Sequence, residues 1–199
     1  MRRSHALPGL LVLLIALALT PVFAPAVHAA EPFTDPEGRF TFTYPDGYEQ
    51  LTQQEIRQMV RAGASLVGIS GAATASNAIV IVLRDPVTMA NVSVGASPLG
   101  GSQTNVDEGA EQLTKAYASI PGFMLDPAGI ETLTVAGEDA RSYGYSVSLG
   151  GIEARGKQII FIHDGTAYFV TFSALASDFD RFFDEMREVL DTFTFLPQP

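Results

Sequence analysis

Residues 141–174, RSYGYSVSLGGIEARGKQIIFIHDGTAYFVTFSA, leave the chain few choices of fold. Three runs rich in β-branched and aromatic residues are separated by Gly150-Gly151 and Asp164-Gly165, pairs suited to the tight turns of β-hairpins. Two-residue loops set the register: Leu149 opposite Ile152, Val147 opposite Ala154, Tyr145 opposite Gly156, then Ile162 opposite Ala167 and Ile160 opposite Phe169. Side chains alternate across a strand. One face therefore collects Tyr143, Tyr145, Val147, Leu149, Ile152, Ile160, Ile162, Ala167 and Phe169. The other carries Ser146, Ser148, Glu153, Arg155 and Lys157 near the first turn, then Ile159, Phe161, Tyr168, Val170 and Phe172. The far half is apolar on both sides, so the sheet needs cover on both.

The N-terminus stands apart from this domain. Arg2-Arg3, an apolar run over residues 9–19 and Val27-His28-Ala29 follow the order of a secretory signal peptide, with Pro21 and Pro25 ending the run too early for a membrane span. The expected organisation is a signal over 1–29, cleaved near Ala29, and a single domain over 30–199. Cleavage leaves ten basic against 22 acidic residues, a formal charge of −12. Such a domain repels phosphate backbones and anionic headgroups, so nucleic acid is not an expected partner, and no stable membrane span is expected after cleavage. The chain has no cysteine, which removes disulfides, thiolate nucleophiles and thiolate metal sites.

Elsewhere the pattern alternates between strands and helices. Residues 39–44 read as a strand with Phe40, Phe42 and Tyr44 on one side. Thr52 with Glu55 makes a capping box for a helix with the stripe Ile56, Met59, Val60 and Gly63. Residues 64–77 read as a loop, 79–83 as a buried strand, 88–94 as its neighbour and 96–104 as a loop. Asn105 caps a second helix with the stripe Val106, Ala110, Leu113, Tyr117 and Ile120. Residues 130–135 form a short strand before the meander. Ser177 and Asp180 open a last helix with the stripe Phe179, Phe182, Phe183, Met186, Val189 and Leu190, and residues 192–196 close the chain. Three amphipathic helices among about seven mostly hairpin-connected strands predict an α+β fold: a mainly antiparallel sheet with helices on both faces.

FTDPEGRFTFTYPDGYEQ near the start resembles the opening of PsbP-like proteins, a turn, an aromatic strand, Tyr-Pro and a second turn. DFDRFFDEMREVLDTFTF near the end resembles their last helix and short Phe-rich strand. The resemblance implies the α/β/α sandwich that this family shares with the Ran-binding protein Mog. It also implies an exported accessory or assembly factor, photosynthetic in some members. Members that dock on photosystem II are thought to use basic surface, whereas this chain is acidic.

Candidate chemistry is sparse. His163, the one histidine left after cleavage, precedes Asp164-Gly165, and the turn accounts for that pair, since neighbours on a strand point to opposite faces. Residues 67–71 (VGISG) miss the spacing of a nucleophile elbow. The glycines of 95–102 lack a phosphate-loop lysine. Asp178, Asp180, Asp184 and Glu185 spread around a helix face without calcium-loop spacing. Asn91-Val92-Ser93 is a glycosylation sequon inside a strand. We therefore expect no enzyme, no cofactor and no catalytic or metal-binding residues. The expected function is an exported accessory domain that binds a protein partner. Its candidate surface is Ser146, Ser148, Glu153, Arg155 and Lys157, left uncovered by a helix that stops short of the hairpin tip. A small-molecule or lipid carrier, with an apolar pocket among Tyr143, Tyr145 and the helix phenylalanines, is the alternative.

Overall fold

In the computed structural model, which describes residues 32–66, 78–99, 105–118, 120, 122–149 and 151–197, the meander has the expected register. Strands β7 (Glu138–Leu149), β8 (Ile152–His163) and β9 (Thr166–Leu175) pair antiparallel, with Leu149 opposite Ile152, Tyr145 opposite Gly156 and Ile160 opposite Phe169. The second turn needs left-handed backbone at Asp164 (φ 44°) and Gly165 (φ 69°), conformations that Asp tolerates and Gly adopts freely. Beyond β7 lies β6 (Phe123–Val135). Beyond β9 come β5 (Asn91–Pro98), β4 (Ile79–Arg84) and β3 (Glu49–Gln50), giving a seven-stranded antiparallel sheet of order β3-β4-β5-β9-β8-β7-β6.

Both faces are covered, as the apolar alternation requires. Helices α1 (Gln53–Leu66) and α2 (Val106–Tyr117) lie on one face. Thr52 and Glu55 form the reciprocal capping box of α1: Glu55 N donates to Thr52 Oγ1, while the Thr52 amide and hydroxyl donate to Glu55 Oε2. Asn105 Oδ1 caps α2 by accepting from Asp107 N at 2.9 Å. Ile56, Met59 and Val60 of α1 pack on Ile79 and Val82. Ala110, Leu113 and Tyr117 of α2 pack on Tyr143, Tyr145, Val147, Ile160 and Phe169.

The opposite face holds the largest core. There β1 (Pro32–Thr34), β2 (Phe40–Thr43) and β10 (Thr194–Phe195) form a separate sheet of order β1-β2-β10. Phe33, Phe40, Phe42 and Phe193 pack with Phe161, Tyr168 and Val170, while α3 (Phe179–Met186) and α4 (Glu188–Asp191) bring Phe179, Phe182, Met186 and Val189 onto the same cluster.

Several boundaries differ from the sequence reading, each for a local reason. The strand at residues 39–44 leaves the main sheet for the small one, and β3 takes the edge in its place. Thr88 belongs to a turn held by Asp85, whose carboxylate accepts from Val87 N, Thr88 N and Thr88 Oγ1, so β5 starts later and runs through Ala96. Strand β6 begins at Phe123 because Pro127 and Gly129 are absorbed by an irregularity between Leu125 and Ile130, at a sheet edge where a missing N–H costs little. At α3 the cap is Asp178, not Ser177 or Asp180. The Ser177 hydroxyl donates to the Asp178 carboxylate, and Phe182 N reaches the Asp178 carbonyl. The last helix is interrupted at Arg187, whose backbone stays helical, so the apolar stripe continues into α4.

Candidate functional site

All five candidate residues stand on one face of the β7–β8 hairpin. Ser146 is opposite Arg155, Ser148 opposite Glu153, and Lys157 opposite Gly144. From the next strand, β6 places Met124 beside Ser146. Gly122 fixes this junction: at φ 77° its backbone approaches the Ser148 carbonyl so closely that a Cβ would overlap the oxygen, and Ser148 N donates to Gly122 O at 3.0 Å.

Helix α3 does not stop short of the hairpin, which corrects the expectation of an uncovered cationic tip. Arg155 Nη1 donates to both carboxylate oxygens of Asp180, at 3.0 and 3.1 Å, and its guanidinium lies 5.0 Å from the Phe179 ring centre. Lys157 Nζ donates to Glu131 Oε2 at 2.9 Å and sits 5.5 Å from the centre of the Phe183 ring. A polar strand face can carry a helix because long cationic side chains lay their stems and charges against aromatic rings. The Glu131 carboxyl is held below its usual range, first by the hydrogen bond from Lys157 and then by that ammonium's charge. With Glu131, Glu153 and Asp180 around Arg155 and Lys157, the strip has no positive excess.

What stays open is the outer margin of this face. Ser148 and Glu153 are exposed, Ser146 is half-buried, and Met124 is 62% exposed. Met124, Glu131 and Asp180 were missed in the sequence. Met124 lies ahead of Pro127 and Gly129, outside the strand read at 130–135. Glu131 lies inside that strand but nothing local ties it to Lys157, and Asp180 reads as one more solvated helix carboxylate. Strict alternation on either side of 127–129 is the signal that locates Met124.

The carrier pocket is not formed as expected. Tyr143 and Tyr145 lie on the α2 face, whereas Phe179, Phe182 and Phe183 lie on the opposite face of the sheet. The space beside the tyrosines is filled: Tyr117 stacks on Phe123 at 4.9 Å, and Phe123 on Tyr145 at 5.0 Å. Tyr143 OH donates to Gln158 Oε1, and Tyr145 OH shares a 3.2 Å hydrogen bond with Ser173 Oγ. Burial raises the Tyr117 and Tyr143 phenols well above their ordinary value and pushes Tyr145 up to about 12. Next to this network is a cavity of about 20 Å³ lined by Ala78, Ile79, Ser93, Gly95, Gln158, Phe169 and Thr171, room for about one water molecule.

The remaining sequence candidates resolve locally. His163 does meet Asp164, Nε2 to Oδ2 at 3.3 Å, because the left-handed turn residue escapes strand alternation. Its Nδ1 is 2.8 Å from Glu138 Oε1, and the ring stacks on Phe195 at 3.7 Å. Both nitrogens thus face carboxylates, an arrangement with no place for a nucleophile. Asp180 turns to Arg155, while Glu185 accepts from Arg181 and Tyr48. Among the described residues no group of three or more His, Asp or Glu converges as a metal site would. Asn91 of the sequon is buried, its Nδ2 directed at Met89 O. Residues 67–71 and 100–102 lie outside the described residues. No helix among the described residues is long and apolar enough to cross a membrane.

The layer order defines an antiparallel α+β sandwich whose distinctive surface is a half-covered sheet margin. Solved structures identify this as the PsbP/Mog1-like fold. The cyanobacterial PsbP (CyanoP) of Synechocystis sp. PCC 6803 superposes with a TM-score of 0.57 at 15% identity, over 89% of this chain and 98% of that one. LpqN of Mycobacterium tuberculosis does so with a TM-score of 0.57 at 14% identity, over 85% and 91%. Mog1p of Saccharomyces cerevisiae gives 0.50 at 8% identity, over 84% and 95%. No protein-family model and no curated protein matches the sequence.

Proposed function

We propose that this chain is an exported, non-catalytic accessory domain that binds a protein partner through the open margin of the β6–β7–β8 face. The observation that carries the reading is Met124, a large apolar side chain left 62% exposed beside the polar strip of Ser146, Ser148, Glu153, Arg155 and Lys157. An apolar anchor rimmed by hydrogen-bonding and paired charged groups is the composition of a protein-binding patch. The Arg155–Asp180 and Lys157–Glu131 pairs hold the rim in fixed positions for a partner. Fold likeness supports the same reading: LpqN is described as involved in cell envelope biogenesis and Mog1p as a Ran-binding protein. Export rests on the signal-like order of residues 1–29. The partner is a protein in the cell envelope or outside the cell, and the charge of −12 disfavours nucleic acid.

The test is retrieval of partners from the native envelope by the mature protein, read by mass spectrometry. Met124→Glu with Ser148→Glu changes two exposed side chains, so the melting temperature stays near that of the wild type while retrieval falls at least tenfold. Undiminished retrieval places the partner surface elsewhere. An intact mass that begins near Ala30 supports export, and one that retains residues 1–19 refutes it.

A further inference from the structure

We propose that the outer edge of β6 takes an extended, lysine- or arginine-bearing segment of a protein partner as an eighth strand of the sheet. This rests on the partner-binding reading above and deepens it, because β6 borders the same face.

The two edges of the seven-stranded sheet are built differently. At the β3 end the edge is blunted: β3 has two residues, Leu51 N donates to Val82 O at 2.9 Å, and Gln53 Nε2 donates to Val80 O at 3.1 Å. The outward carbonyls of β4 are thus used within the chain. At the β6 end, among the described residues, no element other than β7 pairs with the backbone of residues 130–135. Edge strands are normally guarded by prolines, bulges or outward charges. In β6 those devices are confined to residues 126–129. From Ile130 onward the run Ile-Glu-Thr-Leu-Thr-Val has one charge, and that carboxylate is drawn back over β7 to Lys157 on β8 instead of standing at the edge. Ile130, Thr132 and Thr134 are exposed. This segment has the composition of a strand and an unguarded edge.

Charge selects the occupant. The β6–β7 hairpin carries Asp126, Glu131, Glu138 and Asp139 against Arg141 alone, and Arg141 is paired with Asp107. A second copy would bring the same acidic hairpin up to its own like, between two domains of like charge. A basic strand meets the opposite situation: it approaches a hairpin whose four carboxylates outnumber its one arginine, while its backbone completes the ladder.

The experiment uses the mature protein and an octapeptide of alternating lysine and valine, followed by amide NMR at low ionic strength. The expected result is saturable shifts concentrated on residues 130–135. Thr132→Lys with Thr134→Lys, two exposed positions, weakens binding at least tenfold, and so does N-methylation of alternate peptide amides, which keeps the charge but removes ladder donors. A glutamate–valine octapeptide leaves the spectrum unchanged. Equal binding by the N-methylated peptide shows diffuse charge attraction and overturns the proposal. So do shifts elsewhere, no shifts, or concentration-dependent self-association through β6. Loss of this peptide binding with Met124-dependent retrieval intact removes the eighth strand and leaves the partner-binding face standing.

Discussion

Gly156 offers a sign test of the packing. An interior strand glycine is ordinarily improved by alanine, by about 0.5–1 kcal/mol, because the unfolded chain loses freedom. Here the expected sign is reversed. Gly156 lies opposite Tyr145, and a Cβ built on it would be 2.7 Å from Tyr145 Cε2 and nearer still to the end of the ring. That ring is buried, stacked with Phe123 and Tyr117, and tied through its hydroxyl to Ser173, so it has nowhere to retreat. Overpacking costs about 1–3 kcal/mol, and the displaced hydroxyl forfeits about 1 kcal/mol of hydrogen bonding. After the entropic gain, Gly156→Ala destabilises by about 1–3.5 kcal/mol, which for a domain of this size lowers the melting temperature by roughly 2–14 °C. Thermal and urea unfolding measure it. In a Tyr145→Leu background the added methyl group enters vacated space, so the same substitution becomes neutral or stabilising. An equal loss in both backgrounds, or a gain in the wild type, refutes the overlap.

Three other outcomes follow from named contacts. Phe182 is fully buried against Tyr48 and Phe172, so Phe182→Ala costs about 3–5 kcal/mol in urea unfolding, more than the half-buried Phe183→Ala. Asp184 is exposed, and Asp184→Ala stays within about 0.5 kcal/mol of wild type. The Glu55 carboxyl is lowered by its hydrogen bonds from the Thr52 hydroxyl and amide, so its contribution is complete above the ordinary carboxylate value and is lost as pH falls through the lower folded value. The melting difference between wild type and Glu55→Ala should therefore close in acid, and a gap constant from neutral to acid pH would remove the capping box from the account.

The meander was legible because its constraints are local. Two turns with their own backbone chemistry set a register, and the register sorted every side chain from Tyr143 to Phe172 onto a face. The helix starts at Thr52 and Asn105 were legible for the same reason, since a cap is a short-range hydrogen bond. Partner choice between distant strands was not. Nothing in residues 40–43 says that they pair with Pro32–Thr34 and Thr194–Phe195 instead of the main sheet, because that choice is made by phenylalanines meeting across the whole chain. The candidate strip was placed correctly on one face, yet its electrostatics were misread. Arg155 and Lys157 look like unpaired cations until β6 and α3 deliver Glu131 and Asp180 from 26 and 25 residues away.

The partner-binding face is tested most directly by photo-crosslinking in the native envelope. A photoreactive residue at position 124 is compared with one at position 87, since Met124 and Val87 are similarly exposed apolar side chains, 62% and 60%, at separate places in the fold. The account predicts a discrete crosslinked species from position 124 that is missing from position 87. Equal labelling from both, or a discrete species from position 87 alone, would contradict it.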